Sequence, residues 1–113
     1  MEVRFPVFVR EKDSGDVFKS DSTRELQQQV EKIDIENSEY EAWDAEGRPL
    51  RLGVQEPLWL SLEATGQPAI PALRSAIAAF AAKGGVILSD NQKSVDELAR
   101  VLDRLPSPRQ HRT

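Results

Sequence analysis

Six carboxylates crowd residues 34 to 46: Asp34, Glu36, Glu39, Glu41, Asp44 and Glu46. Carboxylates at this density support three kinds of chemistry. They can ligate a hard cation such as Ca²⁺, which takes about six to eight oxygens. Two of them can share general acid and general base work. They can also form a charged face, either solvated or docked on a basic protein. The run lacks the order of an EF-hand loop, and spacing alone singles out no catalytic pair among so many acids. Tyr40 and Trp43 lie inside the run and Trp59 follows it. Aromatic side chains among charges are a composition found at interface anchors. Core packing accounts for Trp59 equally well. The residues assigned to partner binding are Asp34, Glu36, Glu39, Tyr40, Glu41, Trp43, Asp44 and Glu46, with a solvated acidic face as the plain alternative.

Other chemistry finds little support. The chain has one histidine, His111, near its end, and no cysteine. A catalytic base needs fixed geometry, which a frayed terminus does not provide. Without cysteine or a second histidine, zinc would need an all-carboxylate ligand set. No G-x-S-x-G, phosphate-binding loop or dinucleotide fingerprint occurs. Thr65-Gly66-Gln67 precedes a helix, but Pro68 and Pro71 remove backbone donors that an anion site would use. No enzymatic activity, cofactor or metal is expected.

Charge is unevenly distributed. Residues 31–63 carry net −6 and residues 64–113 net +3, within a whole-chain charge of −4. An acidic middle repels phosphates and argues against nucleic acid as the main ligand. The 113 residues suffice for one core. No apolar run approaches the roughly 18 residues of a membrane helix, and the N-terminus lacks the basic-then-apolar order of a signal peptide. The expectation is a cytoplasmic protein without a membrane partner.

The elements that must position the acidic run follow from periodicity. Val3, Phe5, Val7 and Val9 alternate with other residues as a strand does. Pro6 places that strand at an edge or delays its start to Val7. Lys12 to Asp16 turns the chain into a second strand, Val17–Lys19. Ser22 and Glu25 form a capping box, and Leu26, Val30 and Ile33 share a helical face. Tyr40–Asp44 is a strand, and Asp44 to Arg48 a tight turn with Gly47 in the left-handed position. Leu50 to Val54 returns, and Leu58, Leu60 and Leu62 alternate along the next strand. Ile70, Leu73, Ile77 and Phe80 stripe an Ala-rich helix ended by Lys83 and Gly84. These side chains are expected to pack on the face bearing Leu60. Val86–Leu88 is expected as a buried strand, completing a candidate βαβ unit over 58–88. Ser94 and Glu97 cap a last helix that Pro106 ends. The expected fold is α+β (or α/β), with a mixed sheet and the order β-β-α-β-β-β-α-β-α. Residues 1–106 form a single compact domain and residues 107–113 a flexible tail.

In size, acidity and lack of cysteine the chain resembles, in type, the bacterial immunity and antitoxin proteins that neutralise basic nucleases. That resemblance rests on charge and size, without a shared motif. It implies a small binding protein whose acidic surface docks a basic protein, such as a toxin or nuclease. The alternatives are a structural or regulatory domain that self-associates through its Ala-rich helix, and a small carboxylate-dependent enzyme. A monomer or weak homodimer is expected. Because Ser107–Thr113 offers no apolar side chain except Pro108, deleting it should move the thermal midpoint by less than about 5 °C, a shift equivalent to roughly 1 kcal/mol. A larger loss in a calorimetric scan would mean that the tail is docked.

Overall fold

Val7, Phe8 and Val9 are consecutive on one strand and all fully buried. Successive strand residues point to opposite faces, so both faces of this sheet must be covered. The computed structural model describes residues 2–55, 59–89 and 94–105. Its elements are β1 (Val7–Glu11), β2 (Val17–Ser20), α1 (Thr23–Gln29), α2 (Lys32–Glu36), β3 (Tyr40–Trp43), β4 (Pro49–Val54), β5 (Leu60–Ala64), α3 (Ile70–Lys83) and α4 (Val95–Arg104). The strands form one five-stranded sheet in the order β2-β1-β3-β4-β5, with every neighbouring pair antiparallel. The α+β class follows, with helices on both sides of the sheet.

Register sorts the core into two layers. Phe8 lies opposite Trp43, and both join Val17 under Leu73, Ile77 and Ala81 of α3 and Leu98, Val101 and Leu102 of α4. Val9 lies opposite Phe18 and Ala42. These pack on the other face with Val7, Leu50 and Leu60 beneath Leu26, Val30 and Ile35. Leu60 therefore lies across the sheet from Ile77 and Phe80, contrary to the expected packing. Alternation along β5 shows that one face is apolar but not which helix covers it.

The tight turns form as their residues dictate. Gly15 and Gly47 adopt φ of 78° and 79° in the two hairpin turns. In the second turn the Gly47 N–H donates to the Asp44 carbonyl at 2.9 Å, closing a type I turn before the left-handed glycine. The Ser22 and Ser94 hydroxyls accept from the Glu25 and Glu97 backbone N–H groups, and Glu97 completes a capping box. At the end of α3 the Val86 N–H reaches the Ala81 carbonyl and the Gly85 N–H reaches that of Ala82. With Gly85 at φ 81°, this is a Schellman motif. The Lys83 ammonium then ties α3 to the first hairpin, donating to the Ser14 carbonyl and to Asp16.

Of the two readings of Pro6, the delayed start holds: β1 begins at Val7 and is an interior strand, between β2 and β3, with the Phe5–Pro6 peptide cis. Two other local expectations are corrected. The first helix stops at Val30, whose extended backbone (φ −117°, ψ 158°) lets the chain restart as α2. Val30, Ile33 and Ile35 are β-branched and Asp34 is a weak helix former, so a straight helix gains little here. The break turns Ile35 into the core and leaves Ile33 62% exposed. Val86–Leu88 forms no strand, and no parallel pair forms with β5. A three-residue apolar run without alternation suits an extended linker as well as a strand. Here Leu88 packs against the α3/α4 core while Ile87 is 83% exposed. Leu58, His111 and the whole of 107–113 lie outside the described residues. No helix among the described residues is long and apolar enough to cross a membrane.

Two cores separated by one sheet should respond independently to mutation. Ile35→Val and Ile77→Val should each cost about 1 kcal/mol, and in denaturant titrations the double variant should be additive within about 0.5 kcal/mol. A coupling above about 1 kcal/mol would show that the two layers share their packing.

Candidate docking surface

The fold divides the acidic run among four environments. Asp44 ends β3 and is 0% exposed. Its carboxylate accepts from the backbone N–H groups of Glu46 (2.9 Å), Arg48 (3.0 Å) and, more distantly, Arg4 (3.4 Å). It also accepts from Arg48 Nε at 2.8 Å and pairs with Arg48 Nη2 at 2.7 Å. Burial alone would raise its pKa. The guanidinium of Arg48 and the backbone donors of Arg48, Glu46 and Arg4 outweigh burial and hold it below the ordinary 3.8. Asp44 is thus the internal clamp of the β3–β4 turn and presents no surface to a partner. Its sequence signal was available, since Asp at the first position of a type I turn caps the donors that follow.

Trp43 is also corrected. It is buried against Phe8 and the α3/α4 layer, so it acts as core and not as an anchor. Glu46, at the same end of the sheet, is exposed but lies 3.3 Å from both Arg48 Nη2 and Arg4 Nε. Glu41 lies on the α3/α4 face and pairs with Arg10 across the β1–β3 ladder at 2.7 Å. Arg51 and Glu63 repeat that cross-strand pattern at 2.7 Å between β4 and β5. Three of the six acids are therefore compensated by arginines.

The other three gather at the opposite end of β3, on α2 and the turn after it. Asp34 accepts from the Tyr40 hydroxyl at 3.4 Å, and its carbonyl accepts from the Glu39 N–H at 2.9 Å. Tyr40 is half-buried beside the α1/α2 core. Glu36 is exposed and Glu39 half-buried, and among the described residues neither carboxylate has an ion-pair partner. Ser38 takes φ 58° to reverse the chain between them. Amid these acids stands Ile33, which periodicity had placed in the core. Across α2, the Lys32 ammonium lies over the Trp59 ring, 5.7 Å from its centroid. Trp59 is half-buried against the α1/α2 layer.

The remaining alternatives have their own places. The outer face of α3 exposes Ala72, Ser75, Ala79 and Ala82. Among the described residues no group of three or more His, Cys, Asp or Glu is arranged to hold a metal ion. Comparison with family models, curated proteins and solved structures finds no match for the chain.

The clamp carries a pH signature. A carboxylate held below its ordinary value stabilises the fold fully above about pH 4, and that stabilisation is lost as pH falls through the lowered folded-state value. Asp44→Ala should cost about 3 kcal/mol or more at pH 7, because it strands buried donors and the guanidinium. Its loss relative to wild type should shrink in acid denaturation curves as pH drops below about 4. An unchanged difference at pH 2 would remove Asp44 from the source of acid sensitivity.

Proposed function

We propose that the protein is a small binding protein that docks a basic protein partner through the α2–β3 corner. The observation supporting this reading is Ile33, a large apolar side chain 62% exposed on a helix that also carries Asp34 and Glu36. An apolar centre within a charged rim is the anatomy of a protein interface. The rim charges steer encounter and the apolar centre governs residence. Asp34, Glu36, Glu39 and Tyr40 remain in the docking set, and Ile33 replaces Trp43 as anchor. Glu41 and Glu46 contribute less, since arginines already offset them. The immunity or antitoxin type of inhibitor is the specific form of this proposal, with a basic toxin or nuclease as partner.

The test begins with proteins retained on the immobilised chain at low salt and released as salt rises. Glu36→Lys with Glu39→Lys should leave the fold intact and slow association at least about tenfold at low salt, the gap closing once the screening length falls below roughly 10 Å. Ile33→Ala should instead speed dissociation and cost more than about 1 kcal/mol of binding. Retention of the same basic protein, with unchanged association rate, by the charge-reversed chain would overturn the proposal.

A further inference from the structure

Residues 2–5 join the fold outside the sheet, since β1 begins at Val7. The β1–β3 ladder runs on alternate residues. The Lys12 N–H donates to the Glu39 carbonyl, so Arg10–Glu41 and Phe8–Trp43 are its hydrogen-bonded pairs. The next pair in that parity is Pro6 and Ala45, where proline has no N–H to give. The Ala45 N–H bonds the Arg4 carbonyl at 2.8 Å. The other polar contacts of the segment end on the same turn. The Arg4 N–H lies 3.4 Å from the Asp44 carboxylate, Arg4 Nε 3.3 Å from Glu46, and the Glu2 carbonyl 2.6 Å from Arg48 Nη2. Among the described residues, no hydrogen bond or ion pair of 2–5 runs elsewhere. The apolar hold comes from Val3 and Phe5, half-buried against the α1/α2 layer, while Glu2 and Arg4 are exposed. On the turn's other side, α3 approaches through the Ala69 N–H, which donates to the Gly47 carbonyl, and through Ile70. Neither residue carries a charge.

We propose that residues 2–5 form a releasable strap, latched by Arg48, that lifts as a unit while the five-stranded sheet and the β3–β4 turn stay folded. A segment with few buried contacts and no ladder bonds opens at lower free energy than the core beside it. The turn does not need the strap. The Glu46 and Arg48 N–H groups remain on the Asp44 carboxylate, the Gly47 N–H on the Asp44 carbonyl, and the Asp44 N–H on the Arg48 carbonyl. Lifting releases the N–H groups of Arg4 and Ala45 and frees one contact of the guanidinium. Arg48 keeps Asp44 and Glu46 as counter-ions, so no buried charge is left unpaired, the outcome that would make opening costly. What the open state uncovers is Val3, Phe5 and the part of the α1/α2 layer beneath them. This apolar surface lies at the end of β3 remote from the α2–β3 corner. The strap therefore bares it reversibly without disturbing that corner, and the inference does not rest on the docking reading.

The experiment is native-state amide exchange on the unaltered chain, read residue by residue as urea rises below the unfolding transition. The Arg4 and Ala45 amides should exchange through one shared opening, at least about a hundredfold more populated than the opening that frees Phe8 and Trp43. That shared opening should depend little on urea, because it exposes little surface. The Asp44 and Arg48 amides flank Ala45 but face the turn, and should be at least about tenfold better protected than Ala45. Ile77→Val weakens the core and not the strap. It should speed exchange at Phe8 and Trp43 about fivefold and leave Arg4 and Ala45 within about twofold. Arg48→Lys replaces the fork with a point charge that cannot serve Asp44 and the Glu2 carbonyl together, and should speed exchange at Arg4 and Ala45 at least about tenfold. Unchanged exchange there would remove Arg48 as the latch and overturn the proposal. So would Arg4 and Ala45 amides that follow Phe8 and Trp43 in urea dependence and in their response to Ile77→Val, since the strap would then open only with the whole fold. Arg4 and Ala45 amides without measurable protection would overturn it as well, because nothing would be latched. The pattern on the unaltered chain decides if Arg48→Lys fails to fold.

Discussion

A carboxylate sealed inside the β3–β4 turn holds several parts of this fold in register. Asp44 has lost all contact with water, and desolvating a charge costs several kcal/mol unless donors surround it. The donors come from separate places: the backbone of the turn, the Arg48 side chain and the Arg4 N–H. Arg48 Nη2 also reaches the Glu2 carbonyl at 2.6 Å, and the Ala45 N–H reaches that of Arg4. The segment preceding β1 is thereby fixed beside the turn. Gly47 completes the connection, because a Cβ there would lie 2.6 Å from Ile70 Cγ1. The glycine serves both the left-handed backbone and the close seat of α3.

This arrangement explains why a dense acidic sequence does not make a uniform acidic face. A strand sends neighbours to opposite sides, and a turn can draw a side chain inward. Glu41 meets an arginine across the ladder, Asp44 is internalised and Glu46 lies beside two arginines. Net charge counts all of these equally, but the field outside the protein does not. What remains for a partner is the shorter set on α2 and the turn at Ser38, which is where the proposed docking surface is drawn.

Features dictated by adjacent residues were legible in the sequence. Gly47 after a type I turn, the serine caps of α1 and α4 and the class of fold all depend on interactions within a few positions. Features decided by distant packing were not. Periodicity assigned Ile33 to the core because it assumes an unbroken helix, and the break at Val30 becomes visible only when Ile35 is seen filling the α1/α2 layer. Trp43 reads as an anchor among charges until Phe8 is placed opposite it. Leu60 and Ile77 are both plainly apolar, yet nothing local tells which side of the sheet each occupies.

The position of β1 has a consequence for the order in which the chain can be made. Three of the four strand pairings join elements consecutive in the strand order of the sequence, but β1 also pairs with β3, and α1 and α2 lie between them. During vectorial synthesis the first hairpin emerges with Val7 and Val9 already on an interior strand whose second neighbour does not yet exist. Until the chain has grown from Ser20, the end of the hairpin, to Trp43, the end of β3, a matter of seconds at ordinary elongation rates of about 5–20 residues per second, that hydrogen-bonding edge stays open. The tethers at Arg4 and Glu2 also await the arrival of Asp44 and Arg48. The nascent chain is consequently most vulnerable to wrong pairing before Trp43 clears the ribosome, and delivery of β3 closes the interior of the sheet.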